Sequence, residues 1–244
     1  MRLKGHTVMI TGGASGIGFA IAKKLAQMNN KVIIVGRDQG KLEAARAEVP
    51  ELVTLSYDIS LEAERVALAS LLAERYPDLT MLINNAGIQY QCRFDVDPPS
   101  VQEIHQEMET NFIAAVRLSS LLIPLLQNKP EAAIINISSG LAIAPKAGAP
   151  IYCASKAALS SFTRSLRYQL EHTPIQVFEV LAPLVDTSMT QGRGRGKMST
   201  AAFAEECVAG LARNRVVLRI GKTKLLYLLH RIAPSVAYRM LKNG

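Results

Sequence analysis

Apolar residues along this chain fall into two alternating patterns. Short β-branched runs at Thr7–Ile10, Lys31–Val35, Leu52–Ser56, Met81–Asn84, Ala133–Ser138, Gln176–Leu181 and Val216–Ile220 read as strands. Between them, stretches with apolar positions at helical spacing read as helices: Ile17–Met28, Lys41–Glu48, Glu62–Arg75, Val101–Leu126, Ala154–Glu171 and Thr200–Arg213. Runs such as Val32-Ile33-Ile34-Val35 and Ala133-Ile134-Ile135-Asn136-Ile137 show no polar alternation. Such strands must be covered on both faces, which predicts a mainly parallel sheet between two helical layers. With right-handed crossovers the alternation gives a doubly wound α/β/α fold, read here as one domain over residues 1–244.

Two segments leave that rhythm. Gly192-Arg193-Gly194-Arg195-Gly196-Lys197 predicts a mobile loop within about residues 187–200. Residues 222–243 form an apolar, basic segment broken at Pro234.

Composition narrows the picture in three ways. Hydrophobic residues make up 49% of the chain, enough for a large core and against a disordered or fibrous class. The cysteines are Cys92, Cys153 and Cys207, an odd number at wide spacing. They form neither a disulfide framework nor a metal-ligand cluster, so a reducing compartment is expected and no metal. The apolar stretch behind the basic start is only Thr7–Ile10, too short for a signal peptide. No run reaches the roughly 18 apolar residues of a membrane span, and the expected location is cytoplasmic. The net charge of +8 belongs to one quarter of the chain: Met189–Gly244 holds 11 Lys and Arg against 2 acidic residues. It therefore describes a local surface and not the fold.

Chemistry is concentrated at strand ends. Thr11-Gly12-Gly13-Ala14-Ser15-Gly16-Ile17-Gly18 follows the first strand and opens the first long helix. Glycines there let the backbone turn and approach a pyrophosphate, with the free N–H groups of a helix N-terminus behind it. Gly12, Ser15, Gly16, Ile17 and Gly18 are the expected contacts of a dinucleotide. The second strand ends Val35-Gly36-Arg37-Asp38. Where an NAD-preferring fold would place an acidic residue against the ribose, Gly36 leaves room and Arg37 offers a planar fork to a 2′-phosphate, which favours NADP(H) over NAD(H). Asp38 blurs this, because a one-residue shift restores the NAD reading. Asp58-Ile59 follows the third strand at the height of an adenine edge, and Asn84-Asn85-Ala86-Gly87 ends the fourth. Small residues in that last run let a cofactor pass, and its amides can tie neighbouring strands together.

Tyr152 and Lys156 are spaced i, i+4 and so share a helix face. An ammonium beside the phenol, with a positive nicotinamide ring, would lower a phenol pKa of about 10 and let Tyr152 exchange a proton with a carbonyl or hydroxyl. Ser138 and Ser139 end the fifth strand, at the sheet edge where open α/β folds bind ligands, and either could orient the substrate oxygen. Asn111 interrupts a long helical pattern and predicts a local kink linked towards Lys156.

Together these residues resemble the short-chain dehydrogenase/reductase family. Thr11-Gly12-x3-Gly16-x-Gly18, Asn84-Asn85-Ala86-Gly87, Asn111, Ser139 and Tyr152-x3-Lys156 stand in its order and spacing. The resemblance implies a Rossmann-type sheet of seven strands and an Asn-Ser-Tyr-Lys catalytic set. It also selects Ser139, thirteen residues before the tyrosine, over Ser138. It implies contacts from Asn85, Ala86, Gly87, Pro183 and Thr187 to the cofactor. It implies a homodimer or homotetramer built through the helices near 101–126 and 154–171. The segment Ala182-Pro183-Leu184-Val185-Asp186-Thr187 departs from the family by lacking the glycine after the proline and running one residue short. This variant is similar to the teichoic-acid-operon oxidoreductase subgroup, which implies a bacterial source and supplies no substrate.

The expected function is hydride exchange between NADP(H) or NAD(H) and a small carbonyl or secondary-alcohol substrate, with Tyr152 as general acid/base. Two alternatives are a catalytically silent nucleotide-sensing module and a membrane-surface protein recruited by its basic C-terminal segment. For that segment, packing on its own domain or on a partner subunit is favoured over membrane contact. With 5% aromatics and no aromatic interleaving, a nucleic-acid partner is not expected.

Overall fold

A computed structural model describes residues 1–242 of the chain. The strands are β1 (Thr7–Thr11), β2 (Lys31–Gly36), β3 (Val53–Ser56), β4 (Leu79–Asn84), β5 (Ala132–Ser139), β6 (Ile175–Ala182) and β7 (Val217–Arg219). They form one sheet in the order β3-β2-β1-β4-β5-β6-β7, and every pairing is parallel. The expected doubly wound α/β/α sheet of seven strands is therefore present. The chain runs outward from β1 to β3, then restarts beside β1 at β4 and runs outward the other way. The carboxyl ends of β1 and β4 thus flank the reversal, where a crevice must open.

Both faces of the inner strands are buried, the edge strands β3 and β7 being only partly covered, and alternate residues serve different layers. On one face Val8, Ile10, Ile34 and Ile83 pack with Ile21 and Leu25 of α1 (Gly16–Ala26), Leu42 of α2 (Gln39–Glu48), and Phe203 and Leu211 of α7 (Thr200–Ala212). On the other, Met9, Ile33, Leu82 and Ile134 meet Leu68 and Leu72 of α3 (Glu62–Arg75) and Leu118, Leu122 and Leu126 of α5 (Ala114–Gln127). Leu166 of α6 (Pro150–Gln169) joins this second layer. The missing polar alternation in the sequence is the imprint of this two-sided burial.

The predicted helix over Val101–Leu126 is three pieces: α4 (Val101–Met108), a π-helical turn (Glu109–Ile113) and α5. The π turn holds the extra residue where Asn111 turns inward, which is the physical form of the expected kink. Taken as one helix, Val101–Gln127 is long and apolar enough to cross a membrane, unlike any run visible in the sequence. Its apolar face is spent on the sheet, and Arg117 on its outer side pairs with Glu62. α6 starts at Pro150, four residues before the expected Ala154, because proline is well suited to a first helical position. Tyr152 thereby falls in the first turn. The C-terminal segment forms α8 (Thr223–Ile232) and α9 (Pro234–Leu241), broken at Ala233; its expected last residue, Asn243, lies outside the described residues. The loop expected over 187–200 is tied at its base by Val185 pairing with Met198 and by Lys197 Nζ donating to the Thr190 carbonyl at 2.7 Å. All three cysteines are free and buried.

A buried polar ladder ties the sheet together behind the crevice. Asn84 Nδ2 donates to Asn136 Oδ1 at 2.8 Å across β4 and β5, and Asn136 Nδ2 donates to Thr163 Oγ1 on α6 at 2.9 Å. Asn136 is wholly buried. Asn136→Ala should leave Asn84 Nδ2 with only Ser119 Oγ, at 3.3 Å, and remove the donor to Thr163 Oγ1. It should cost about 1–3 kcal/mol, read as a lower urea midpoint with an unchanged slope. An unaltered midpoint would show that the ladder contributes nothing.

Candidate active site

The crevice is built from the ends of β1 and β4. Thr11 Oγ1 accepts the backbone N–H of Asn85 at 3.0 Å and of Ala86 at 3.1 Å, while Asn85 Nδ2 donates to the Thr11 and Gly12 carbonyls at 3.0 and 3.1 Å. This lock fixes the glycine loop against Asn85-Ala86-Gly87. It also dictates the glycines. Gly12 and Gly16 hold φ of +62° and +56°, and a Cβ on Gly12 would lie 2.9 Å from the Ala86 Cα. A Cβ on Gly18 would lie 2.3 Å from the Gly12 carbonyl oxygen, so α1 starts hard against its own loop. Ser15 caps α1 with no side-chain hydrogen bond, leaving the first N–H groups of the helix open.

These elements wall a cavity of about 290 Å³. Its wall is formed by Gly12, Ser15, Gly16 and Ile17 with Gly36, Arg37, Asp58 and Ile59, and by Asn85, Ala86, Gly87 and Thr187 with Tyr152 and Lys156. The sequence-predicted residues are thus brought together, with three qualifications of place. Gly18 lies beneath the loop and not on the wall. Asn111 and Ser139 sit one layer behind it. Pro183 is off the wall, and Ala182 before it lines the cavity instead. The short turn after β6 folds back far enough for the Thr187 methyl to lie 3.2 Å from where a Gly16 Cβ would be. Besides Ala182, sequence reasoning missed Val35, Tyr57, Ile88, Thr110, Ile137, Ser188 and Met189 on the wall. Tyr57 was detectable, since it immediately precedes Asp58 at the same strand end; Thr110 was not, because only the π turn rotates it inward.

At the β2 end, Asp38 is engaged elsewhere. Its carboxylate accepts Lys41 N at 3.1 Å as the N-cap of α2 and pairs with Lys41 Nζ at 3.1 Å. Arg37 faces Asp58 at 3.6 Å. Burial raises the Asp58 carboxyl, but hydrogen bonds from Ser60 and the Arg37 charge outweigh it and hold the group below the usual carboxylate range.

At the opposite end, Lys156 is buried and its Nζ donates to the Ile137 carbonyl at 3.0 Å while lying 5.8 Å from the Tyr152 ring centre. Ser139 lies near enough to Tyr152 to offset part of the rise in its phenol pKa, and its Oγ accepts the Leu141 N–H at 3.1 Å. Ser138 is on the cavity wall, but its hydroxyl is engaged with α6. Ser138 Oγ donates to the Lys156 carbonyl at 3.2 Å and meets Ser160 Oγ at 3.0 Å. Asn111 holds both polar groups of Ile88, accepting its N–H at 2.8 Å and donating to its carbonyl at 2.9 Å, and also donates to Ser155 Oγ at 3.1 Å. Gly87 lies between Asn111 and Lys156; a Cβ on it would be 3.2 Å from Asn111 Oδ1 and 3.6 Å from Lys156 Nζ.

Burial pushes the Tyr152 phenol up to about 12, with Ser139 offsetting part of this, and pushes the Lys156 ammonium down to about 8. These are the effects of protein groups alone; the expected lowering of the phenol involves the positive nicotinamide ring as well. Beside them the buried Glu107 carboxyl, also unanticipated, is pushed up to about 7 by burial.

Residues 6–197 match the family model described as short chain dehydrogenase. The chain belongs to the short chain dehydrogenase family. A relative, the uncharacterized oxidoreductase DltE of Bacillus subtilis, is 43% identical over 191 residues, spanning 78% of this chain and 76% of its own. The fold matches a short chain dehydrogenase from Burkholderia cenocepacia in complex with NADP at TM-score 0.88 and 23% identity, covering all of both chains. It also matches one from Burkholderia phymatum in complex with NAD at TM-score 0.85 and 21% identity, covering 100% of this chain and 97% of that one.

The buried ammonium of this short chain dehydrogenase leaves a mark on stability. Because the folded chain releases the Lys156 proton near pH 8 and the unfolded chain near the ordinary 10.5, the unfolded state binds more protons between those values. Stability therefore rises with pH across that window. Lys156→Met should lack this rise when urea midpoints are compared from about pH 8 to 10. Parallel profiles for the two proteins would mean the ammonium is not desolvated.

Proposed function

We propose that this oxidoreductase exchanges hydride between NADP(H), in preference to NAD(H), and a carbonyl or secondary-alcohol substrate. Tyr152 is its general acid/base. The observation that carries this reading is that Tyr152 and Lys156, with Ser139 behind Tyr152, share one cavity with the glycine loop, the open N-terminus of α1 and Arg37. The residues present fit a dinucleotide. Gly12 and Gly16 provide a cradle that side chains would fill, and the uncapped helix N–H groups suit a pyrophosphate. When bound, the nicotinamide supplies or accepts the hydride.

The proton is the chain's task. In reduction, Tyr152 Oη gives its proton to the substrate oxygen while Ser139 Oγ orients that oxygen; in oxidation, Tyr152 removes the hydroxyl proton. Lys156 stabilises the phenolate formed in reduction, and its own low pKa lets it pass on a proton near neutral pH. Asn111 is a positioning residue that fixes Ile88, and with it Gly87, against Lys156.

The preference for NADP(H) is supported by Asp38 being spent on the α2 cap while Gly36 and Arg37 face the cavity. A bidentate guanidinium suits a 2′-phosphate and an acceptor carboxylate does not. Free, buried cysteines agree with a reducing compartment, proposed to be the cytoplasm. Assembly through the outer faces of α5 and α6 is likewise proposed.

Tyr152→Phe should lower turnover across a carbonyl panel, followed by NADPH absorbance, by about 10²–10⁴-fold with cofactor binding retained. Wild-type rates in that variant would remove Tyr152 from the mechanism.

A further inference from the structure

The end of the chain carries a surface that the hydride site does not use. From Cys207 to Lys242 there are eight Lys and Arg and no Asp or Glu. The α8–α9 hairpin buries only Thr223, Leu226 and Ala237. Those contacts anchor it beside the site: a Cβ on Gly140, the residue after Ser139, would lie 3.2 Å from Leu226, and Ala147 N donates to the Lys242 carbonyl at 2.9 Å. The opposite face is bare.

Leu225, Leu228 and Ile232, at i, i+3 and i+7, are 66%, 54% and 75% exposed, and Val236 and Met240, at i and i+4, are 52% and 53% exposed. With Tyr238 they make six of the fourteen large apolar side chains exposed among the described residues, all within sixteen positions. Single exposed apolar residues are ordinary, whereas a clustered set rimmed by charge marks an interaction surface. Among the described residues Arg231, Arg239 and Lys242 have no carboxylate in ion-pair reach, while Lys224 pairs with Glu206. The cationic edge of α8 continues into a cavity of about 500 Å³ lined by Arg213, Arg215, Arg219, Lys224 and Tyr227, with Glu206 its one carboxylate. There the Arg219 guanidinium stacks 3.6 Å over the Tyr227 ring, and its buried Nε has no acceptor.

We propose that the α8–α9 hairpin docks this chain on an anionic lipid bilayer. Leu225, Leu228, Ile232, Val236 and Met240 enter the acyl boundary, and Arg231, Arg239 and Lys242 meet the headgroup phosphates. Helices of ten and eight residues are too short to span a bilayer and lie in its plane. A second copy of the chain is the poorer occupant. A two-fold contact through this face would set its cations against their own symmetry mates with no acid to pair them.

The test is co-sedimentation of the full chain with vesicles of phosphatidylglycerol and phosphatidylcholine, against phosphatidylcholine alone. The mixed vesicles should bind about tenfold more tightly, with the difference shrinking as salt rises. Leu228→Glu combined with Ile232→Glu should abolish partitioning while thermal unfolding and dinucleotide binding stay as in wild type. Arg231→Gln with Arg239→Gln should remove the preference for the anionic vesicles. Failure of the wild type to bind anionic vesicles, or undiminished binding by the Leu228/Ile232 variant, would overturn the proposal. A wild type that ignores vesicles but loses subunits in that variant would also overturn it and assign the face to a subunit contact.

Discussion

Everything at this site hangs on the lock between the ends of β1 and β4. Parallel strands that leave in opposite directions open a crevice, but a crevice between two loops has no fixed shape of its own. Thr11 and Asn85 supply the shape: one hydroxyl accepts two backbone N–H groups, and one amide donates to two carbonyls across the gap. With that distance set, Gly12 meets Ala86 and Gly18 meets Gly12 at separations no side chain tolerates. The glycines are consequences of the lock, and the open start of α1 is aimed by it.

The chemical end is a balance between desolvation and attraction. Burying Lys156 lowers its pKa to about 8 and burying Tyr152 raises its own, so the phenol is held neutral while the ammonium is brought close to its titration point. The Ile137 carbonyl accepts a hydrogen bond from Lys156 Nζ, and the nearby Ser139 side chain offsets part of the rise in the Tyr152 phenol pKa. A charge arriving near the phenol in such a low-dielectric setting acts more strongly than it would in water. Stability given up here in return for a responsive proton donor is an ordinary exchange at functional sites.

Much of this was legible in the sequence, for physical reasons that differ by element. The parallel sheet covered by two helical layers followed from the missing polar alternation, because strands buried on both faces cannot hide their composition. The glycine loop was legible because close backbone approach leaves few other choices. Ser139 was separated from Ser138 by family spacing; the structure adds a physical reason, since Ser138 is consumed by Lys156 and Ser160. Asp38 was ambiguous in sequence; its role as the cap of α2 was hidden there, because that interaction depends on where the helix starts. The kink at Asn111 was legible but its π-helical form was not, nor were Thr110 on the wall and Ala182 in place of Pro183, because each depends on local backbone winding that no residue pattern encodes.

The central claim is that the locked crevice holds a dinucleotide with Arg37 at its phosphate end. Calorimetric titration of the whole chain with NADPH and with NADH tests it most directly. The account predicts one saturable site per chain, tighter for NADPH, with the preference lost in Arg37→Ala. A folded chain that binds neither dinucleotide, or that binds NADH more tightly, would contradict it.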